Sequence, residues 1–378
     1  MQPLEHGAAL RANALDRHSN MTPVSPRKPA PSSRVAALDG LRICAISLVV
    51  VSHVQDSKGF PKVIADHWYF EGLGVLTFLL LSGFVVTRLL LRTEQKQGRI
   101  TLSSFYLRRW WRLLPPVVVF LAACLVMQAL HWTKFSTTEL LASLTFTRNL
   151  VEGNFYTGHL WSLGVQEQFY LIWPALLILT PARYRLGLAI ALVIAQPVWA
   201  ALSPRWLGPP TPGIGRLDLR AFPLLCGVAL ALAHEQKGLR DWLRHPLLGH
   251  AGIFLLGLGM IVLLRSGIPP GPPRLWRLAE YVCLALILNQ LVVGPDSVTA
   301  RFLALPFMVW LGQQAFQIYI WQQIFVTNGE LPFQFLPLNL LLLAAMATVT
   351  FFLVEKPLMR LRTQYEERRK RTAAVALA

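Results

Sequence analysis

Apolar side chains recur in ten runs, each near the ~20 residues that cross a bilayer core, at about 36–56, 70–91, 113–132, 160–180, 186–202, 217–234, 246–264, 276–293, 304–326 and 335–354. Breakers or charges mark each joint, as in the Pro-rich stretches 203–213 and 269–273. The pattern predicts an all-α fold: a polytopic membrane helical bundle of about ten transmembrane helices, forming one domain over residues 35–362. Residues 1–34 are rich in Pro, Ser, Ala and Arg and lack apolar periodicity. They are expected to be a disordered cytoplasmic tail and not a cleaved signal, because no apolar segment precedes a small-residue cleavage site. Residues 363–378 read as a basic cytoplasmic C-terminal tail. This division leaves no stretch for a separate soluble catalytic domain, so any chemistry is expected to use the bundle and its short loops.

Composition supports the membrane reading. Of the 378 residues, 54% are apolar and only 15% charged, against roughly 25% charged in a soluble globular chain. That is too little charge to cover a water-soluble surface, and too much hydrophobicity for a disordered chain. Net charge is +17, from 36 Lys and Arg against 19 Asp and Glu. With the N-terminus inside, the inner segments carry 24 of those cations and the outer segments 7. Retention of cations on the cytoplasmic side therefore predicts N-in and C-in, in the cell (inner) membrane. Topology accounts for the basic balance better than a nucleic-acid partner does, and none is expected. The four cysteines (Cys44, Cys124, Cys226, Cys283) fall inside apolar runs. They read as small hydrophobes in helices, with no disulfide framework and no metal site expected.

Three groups of polar residues interrupt the apolar pattern, and an ionisable group at membrane depth usually marks a functional interior. The first span opens Leu38-Asp39-Gly40-Leu41-Arg42 and ends at His53. Eleven residues separate Arg42 from His53, about 16 Å of helix rise with only about 20° of rotation. Both side chains are thus expected on one face, a fixed cation near the cytoplasm and an imidazole near the outer side, lining a solvated tunnel. Asp39, one turn before Arg42, is placed to pair with it. The plainer alternatives are that Arg42 snorkels to the inner interface and that His53 caps the helix end.

The fourth span, from Gly158-His159-Leu160-Trp161-Ser162 onward, carries three consecutive polar residues, Gln166-Glu167-Gln168. Glu167 lies about 12 Å of helix beyond His159 and must pair, be protonated or border a wet cavity. Pairing with an arginine of another span is one such outcome. The third group lies in the expected inner loop after span two: Phe105, Tyr106, Trp110 and Trp111 interleave with Arg108, Arg109 and Arg112. Guanidinium forks suit phosphate oxygens and aromatics stack on a purine, chemistry that serves a polyanion such as coenzyme A. An interfacial helix with positive-inside arginines is the alternative. Glutamines 313, 314, 317, 322 and 323 of span nine read first as interhelical hydrogen bonds.

In order along the chain, these segments resemble the acyltransferase-3 family of bacterial membrane O-acyltransferases, over residues 37–362. The resemblance rests on Leu38-Asp39-Gly40-Leu41-Arg42 followed by His53, on Leu81-Ser82-Gly83-Phe84, and on Phe105-Tyr106-Leu107-Arg108-Arg109 with Arg112 and Pro115. It continues through His159-Leu160-Trp161-Ser162-Leu163, Glu167-Gln168-Phe169-Tyr170-Leu171 and Trp173-Pro174, with Asp218-Leu219-Arg220-Ala221 and Glu355-Lys356-Pro357 as later, weaker elements. It implies transfer of an acyl group, usually acetyl, from a cytoplasmic donor such as acyl-CoA to a hydroxyl of a sugar, glycolipid or glycosylated natural product. Arg42 and His53 fall on the positions regarded as essential in the family, and His159 and Glu167 on further motif positions. Three departures stand out. Gln166-Glu167 replaces two adjacent carboxylates, Gln322 stands where the family commonly has histidine, and Phe222 stands where many members have an acid.

On this resemblance His53 is expected to act as general base on the acceptor hydroxyl, with an acyl-imidazole relay as the variant. Arg42 would bind donor phosphate or steady developing negative charge. Arg108, Arg109 and Arg112 would hold the nucleotide part of CoA, and Glu167 or His159 would orient His53 or the acceptor. No permanently bound cofactor is expected, acyl-CoA being a co-substrate and membrane lipid the surroundings. The competing reading is a transporter or flippase of a glycan or small molecule, using the buried charges for substrate or proton movement.

Overall fold

The computed structural model describes residues 35–55, 57–61, 70–208, 215–266, 274–326 and 331–375. The expected N-terminal tail, 1–34, lies outside the described residues. Within them the architecture is helical, and the one β feature among the described residues is an isolated bridge between Lys58 and Phe335. The principal helices are α1 (Ala36–Val54), α2 (Phe70–Gln97), α3 (Leu102–Ala129), α4 (Thr137–Leu144), α5 (Leu160–Leu179), α6 (Arg185–Leu202), α7 (Phe222–Ala233), α8 (Pro246–Ser266), α9 (Arg274–Val293), α10 (Pro306–Phe325), α11 (Leu338–Thr350) and α12 (Lys356–Val375). Each of the ten apolar runs contains a helix.

Five described stretches are long and apolar enough to cross a membrane: Ala36–Val54, Gly72–Gln97, Leu102–Ala129, Ala182–Leu202 and Leu338–Arg368. Phe222–Ala233 and Leu278–Val293 are apolar but shorter. The Gln166-Glu167-Gln168 run in α5 and the glutamines of α10 dilute the hydropathy of two helices whose side chains are largely buried.

One expectation is corrected. Residues 92–112 were expected to form an inner loop, but α2 runs on to Gln97 and α3 begins at Leu102. The true connection is a tight turn in which Gly98 adopts φ +69°, the left-handed conformation that ends a helix at lowest cost. The extra turns of α2 project beyond the apolar run because their charges have partners. Arg185 at the start of α6 donates from Nη2 to Glu94 Oε1 at 2.9 Å. Arg108, Arg109 and Arg112 therefore sit on a helix with fixed spacing, not on a loop.

Helix association within lipid relies on close packing and polar contacts, since the tails are as apolar as the side chains. The packing of α2 against α7 follows that rule. A Cβ on Gly83 would collide with the Leu224 carbonyl, and one on Gly227 with the Leu80 carbonyl. The two backbones touch through reciprocal glycines three residues from each partner. Two apolar clusters result. One joins α1, α3 and α10 around Phe120, Val117 and Ile320; the other joins α2, α5 and α7 around Trp173, Leu224 and Val228.

Helices α1 and α10 lie side by side in the same direction. Near their starts, Gly312 abuts the Asp39 backbone. Beyond their ends, Leu336 N donates to Lys58 O at 2.9 Å, and Gln334 Nε2 donates to Ile324 O at 2.8 Å. At the far end of the chain, a π-helical turn (Phe351–Glu355) joins α11 to α12. It turns Glu355 inward, where only 5% of the residue is exposed. α12 passes without a break through position 363, the expected start of the C-terminal tail, as far as Val375.

Candidate active site

The seam between the two apolar clusters holds a cavity of about 410 Å³. Its wall takes Leu113, Ala315 and Phe316 from one cluster and Val86, Phe105 and Tyr170 from the other. Five guanidinium groups also line it: Arg42 of α1, Arg108, Arg109 and Arg112 of α3, and Arg362 of α12. No carboxylate is among the lining residues.

Helix α5 sets the order of groups along the cavity. Ser162, Gln166 and Tyr170 stand four residues apart on one face, and all three line the space. Ser162 Oγ lies 2.9 Å from Tyr319 Oη. Ser82 donates to Gln166 Oε1 at 2.8 Å. The Arg109 guanidinium lies 3.6 Å from the centre of the Tyr170 ring. Hydroxyls thus mark one end and guanidiniums the other, about 12 Å of helix rise apart.

Carboxylates just behind the wall hold most of these cations in place. Asp39 pairs with Arg42 within α1, as the spacing predicts. Arg109 Nε donates to both Glu167 oxygens, at 2.8 and 2.6 Å. Arg112 Nε lies 3.4 Å from Glu355 Oε1, while Glu355 Oε2 accepts from Gln317 Nε2 at 2.8 Å. Arg362 faces Glu366 at 3.6 Å. Arg108, half-buried, has no carboxylate partner among the described residues. The result is a cavity wall faced with guanidinium donors whose counter-charges lie behind it.

Glu167 therefore sits on Arg109, the cross-helix pairing that the sequence left open, and its carboxylate forks onto a guanidinium, not an imidazole. His159 is elsewhere, 7% exposed, beyond the hydroxyl end. Its Nε2 lies 3.0 Å from Ile320 O, and its ring packs edge-on against Phe120 and Tyr319 at 5.6 and 5.2 Å. Among the described residues its Nδ1 has no hydrogen-bond partner. Tyr319 donates to the His159 carbonyl and stacks on Phe78 at 6.4 Å.

These contacts close the cavity before it reaches the end of α1. Arg42 lines it; His53, expected to line the same tunnel, is not among its lining residues. His53 is half-buried, holds Val49 O at 2.9 Å through Nδ1, and stands within electrostatic reach of His159. Arg42 and His53 share a helix face as expected, but Tyr319 and Ser162 stand between their depths.

A scan against protein families matches the acyltransferase-domain model of the acyltransferase-3 family over residues 35–355. The chain belongs to the acyltransferase-3 family. Among curated relatives, the peptidoglycan O-acetyltransferase OatA of Listeria monocytogenes is 26% identical over 326 residues, 78% of this chain and 49% of the relative. The putative peptidoglycan O-acetyltransferase YrhL of Bacillus subtilis is 28% identical over 366 residues, 86% of this chain and 55% of the relative. The O-acetyltransferase OatA of Staphylococcus aureus is 24% identical over 372 residues, 85% and 57%. The chain thus spans about half the length of the curated relatives it matches. No solved structure matches it.

In this family member, sequence reasoning missed Ser162, Tyr319, Glu355 and Arg362 as site residues. Two of them, Ser162 and Glu355, stand inside segments that carry the family resemblance. The four-residue spacing of Ser162, Gln166 and Tyr170 was the readable signal for a polar face on α5. Nothing in the chain's local pattern marks Tyr319 or Glu355, because their roles depend on which helix lies opposite.

Proposed function

We propose that this chain is a membrane O-acetyltransferase that moves an acetyl group from cytoplasmic acetyl-CoA to a sugar hydroxyl. We read it as lying in the cell membrane with about ten crossings and both termini cytoplasmic. The excess of cations in the inner segments, 24 against 7, supports that orientation. The observation that carries the reading is the cavity itself, with five guanidiniums at one end and the Ser162–Tyr319 hydroxyl pair at the other.

A CoA thioester is a polyanion at one end and a small neutral carbonyl at the other. Arg42, Arg108 and Arg112 would take the phosphates, with Arg109 held rigid by Glu167. The acyl arm would run along the apolar wall, and the thioester carbonyl would meet the Ser162 hydroxyl, whose proton would turn from Tyr319 Oη onto the developing negative charge while Tyr319 keeps its own proton on the His159 carbonyl. His53, beyond Tyr319 and His159 at the end opposite the arginines, would take the acceptor's proton through the acceptor's own intervening hydroxyls as the attacking oxygen bonds to the carbonyl carbon. The C–S bond then breaks, and the CoA thiolate takes up a proton on leaving. His159, between the two compartments, would hold Tyr319 in place. The printed names of the relatives support acetyl as the group and a peptidoglycan sugar as the acceptor class.

The test is thiol release. Purified full-length protein in detergent or nanodiscs, given acetyl-CoA and a soluble N-acetylglucosamine–N-acetylmuramic acid disaccharide, should liberate free CoA thiol and yield acetylated sugar. A glycan carrier, the second reading of the sequence, liberates none. Absence of thiol release under all conditions would overturn the enzymatic reading.

A further inference from the structure

The face of α10 that lines the cavity does not end at Tyr319. At 100° per residue, Ala315, Tyr319, Gln322 and Gln323 fall within one side of the helix. The first two line the arginine cavity; the next turn puts amides where the apolar lining would continue. Gln322 is wholly buried, at 0% exposure, yet among the described residues neither its Oε1 nor its Nε2 has a hydrogen-bond partner. Among the same residues Gln323, at 3% exposure, leaves Oε1 unpartnered, and His159 leaves Nδ1 so. A buried polar atom without a partner costs about 1–3 kcal/mol; here four such atoms fall within one turn of helix of the Ile320–His159 contact. Apolar side chains of the same size would fill the space at less cost. The position of Gln322 is also where the family resemblance leads one to look for histidine.

We infer that Gln322, with Gln323 and His159, forms the subsite for the acceptor's hydroxyl groups, on the side of Tyr319 away from the arginines and toward His53. This rests on the O-acetyltransferase reading and deepens it. The chemistry fits a sugar. A carboxamide offers one acceptor and two donors, and neighbouring hydroxyls, each both donor and acceptor, satisfy both ends of it. A phosphate or carboxylate in direct contact would leave the amide oxygens facing an anion, so the amides select hydroxyl groups at the point of contact. Donor and acceptor would then enter from opposite ends and meet at the Ser162–Tyr319 pair.

The experiment measures thiol release against concentration of the N-acetylglucosamine–N-acetylmuramic acid disaccharide, with acetyl-CoA saturating. Gln322→Met, close in length and unbranched, should raise the KM for the disaccharide about tenfold or more and change kcat much less. Gln322→His restores a donor and an acceptor and should stay within about threefold of the native KM. An unchanged KM in Gln322→Met overturns the subsite. If Gln322→Met does not fold, the histidine variant decides: a tenfold loss there overturns the subsite equally. Failure of both variants to fold makes the amide structural and also overturns it. Native protein that hydrolyses acetyl-CoA but is not stimulated by the disaccharide overturns the subsite alone, whereas native protein that releases no thiol overturns the underlying enzymatic reading.

Discussion

Arg109 of α3 and Glu167 of α5 meet in a two-point ion pair, with Nε 2.6 and 2.8 Å from the two carboxylate oxygens and the Tyr170 ring against the guanidinium face. Their side chains are 20% and 11% exposed, so the pair is mostly withdrawn from solvent. Glu167→Gln leaves the guanidinium without its counter-charge, which for a buried pair costs about 3 kcal/mol. The melting temperature in detergent should fall markedly. The Arg109→Gln/Glu167→Gln double variant should recover part of that loss, the signature of direct coupling.

Arg108 contributes charge to the cavity without a carboxylate partner among the described residues. Its removal strands no buried anion, so Arg108→Ala should melt within about 0.5 kcal/mol of native. If it contacts donor phosphate, the KM for acetyl-CoA should rise by about tenfold or more, the worth of a hydrogen bond to a charged group. Thiol-release kinetics at two salt concentrations check this, and the native salt dependence should weaken in the variant.

Tyr319 ends the cavity through one hydroxyl that reaches both Ser162 and the His159 carbonyl. Tyr319→Phe keeps the ring stack on Phe78 and removes the oxygen that positions the Ser162 hydroxyl. With the Ser162 donor no longer positioned, kcat should fall by up to about 100-fold, with the KM for acetyl-CoA nearly unchanged. A variant with native kcat would show that the hydroxyl serves only to hold His159.

His53 belongs to the last turn of α1 and faces the end of the molecule away from the arginines. His53→Ala should abolish sugar acetylation while membrane insertion and elution from a sizing column stay native. Product formation at the native rate would remove this imidazole from the chemistry.

The crossing of α2 and α7 makes a prediction about the scaffold alone. Gly83→Ala drives a methyl group into the Leu224 carbonyl, and backbone cannot yield as a side-chain tip can. Destabilisation of about 1–3 kcal/mol, the usual cost of overpacking, should appear in thermal unfolding. Gly72→Ala, whose added Cβ has open space, is the control and should melt near native.

Much of this was readable along the chain, because lipid and helix geometry act on local pattern. Apolar runs of spanning length gave the helices, and an eleven-residue interval put Arg42 and His53 on one face whatever surrounds them. The Asp39–Arg42 pair, one turn apart, needed no other helix. The extent of α2 and α3 was misread because charged residues look like loop when their partners are distant in sequence, as Glu94 and Arg185 are.

What local pattern cannot supply is which groups meet across helices. Glu167 in sequence is a carboxylate that must be neutralised somehow; only the antiparallel approach of α3 assigns it to Arg109 and not to an imidazole. Tyr319 is an aromatic among apolar residues until α5 brings Ser162 to its hydroxyl and so separates Arg42 from His53. The sequence by itself determined a helical membrane chain and the faces that carry charge, since these depend on composition and periodicity, and its family, which rests on short motifs in a fixed order. The tertiary structure alone decided where the cavity ends and which cations line it, since helix packing fixes distances between residues that the chain leaves free.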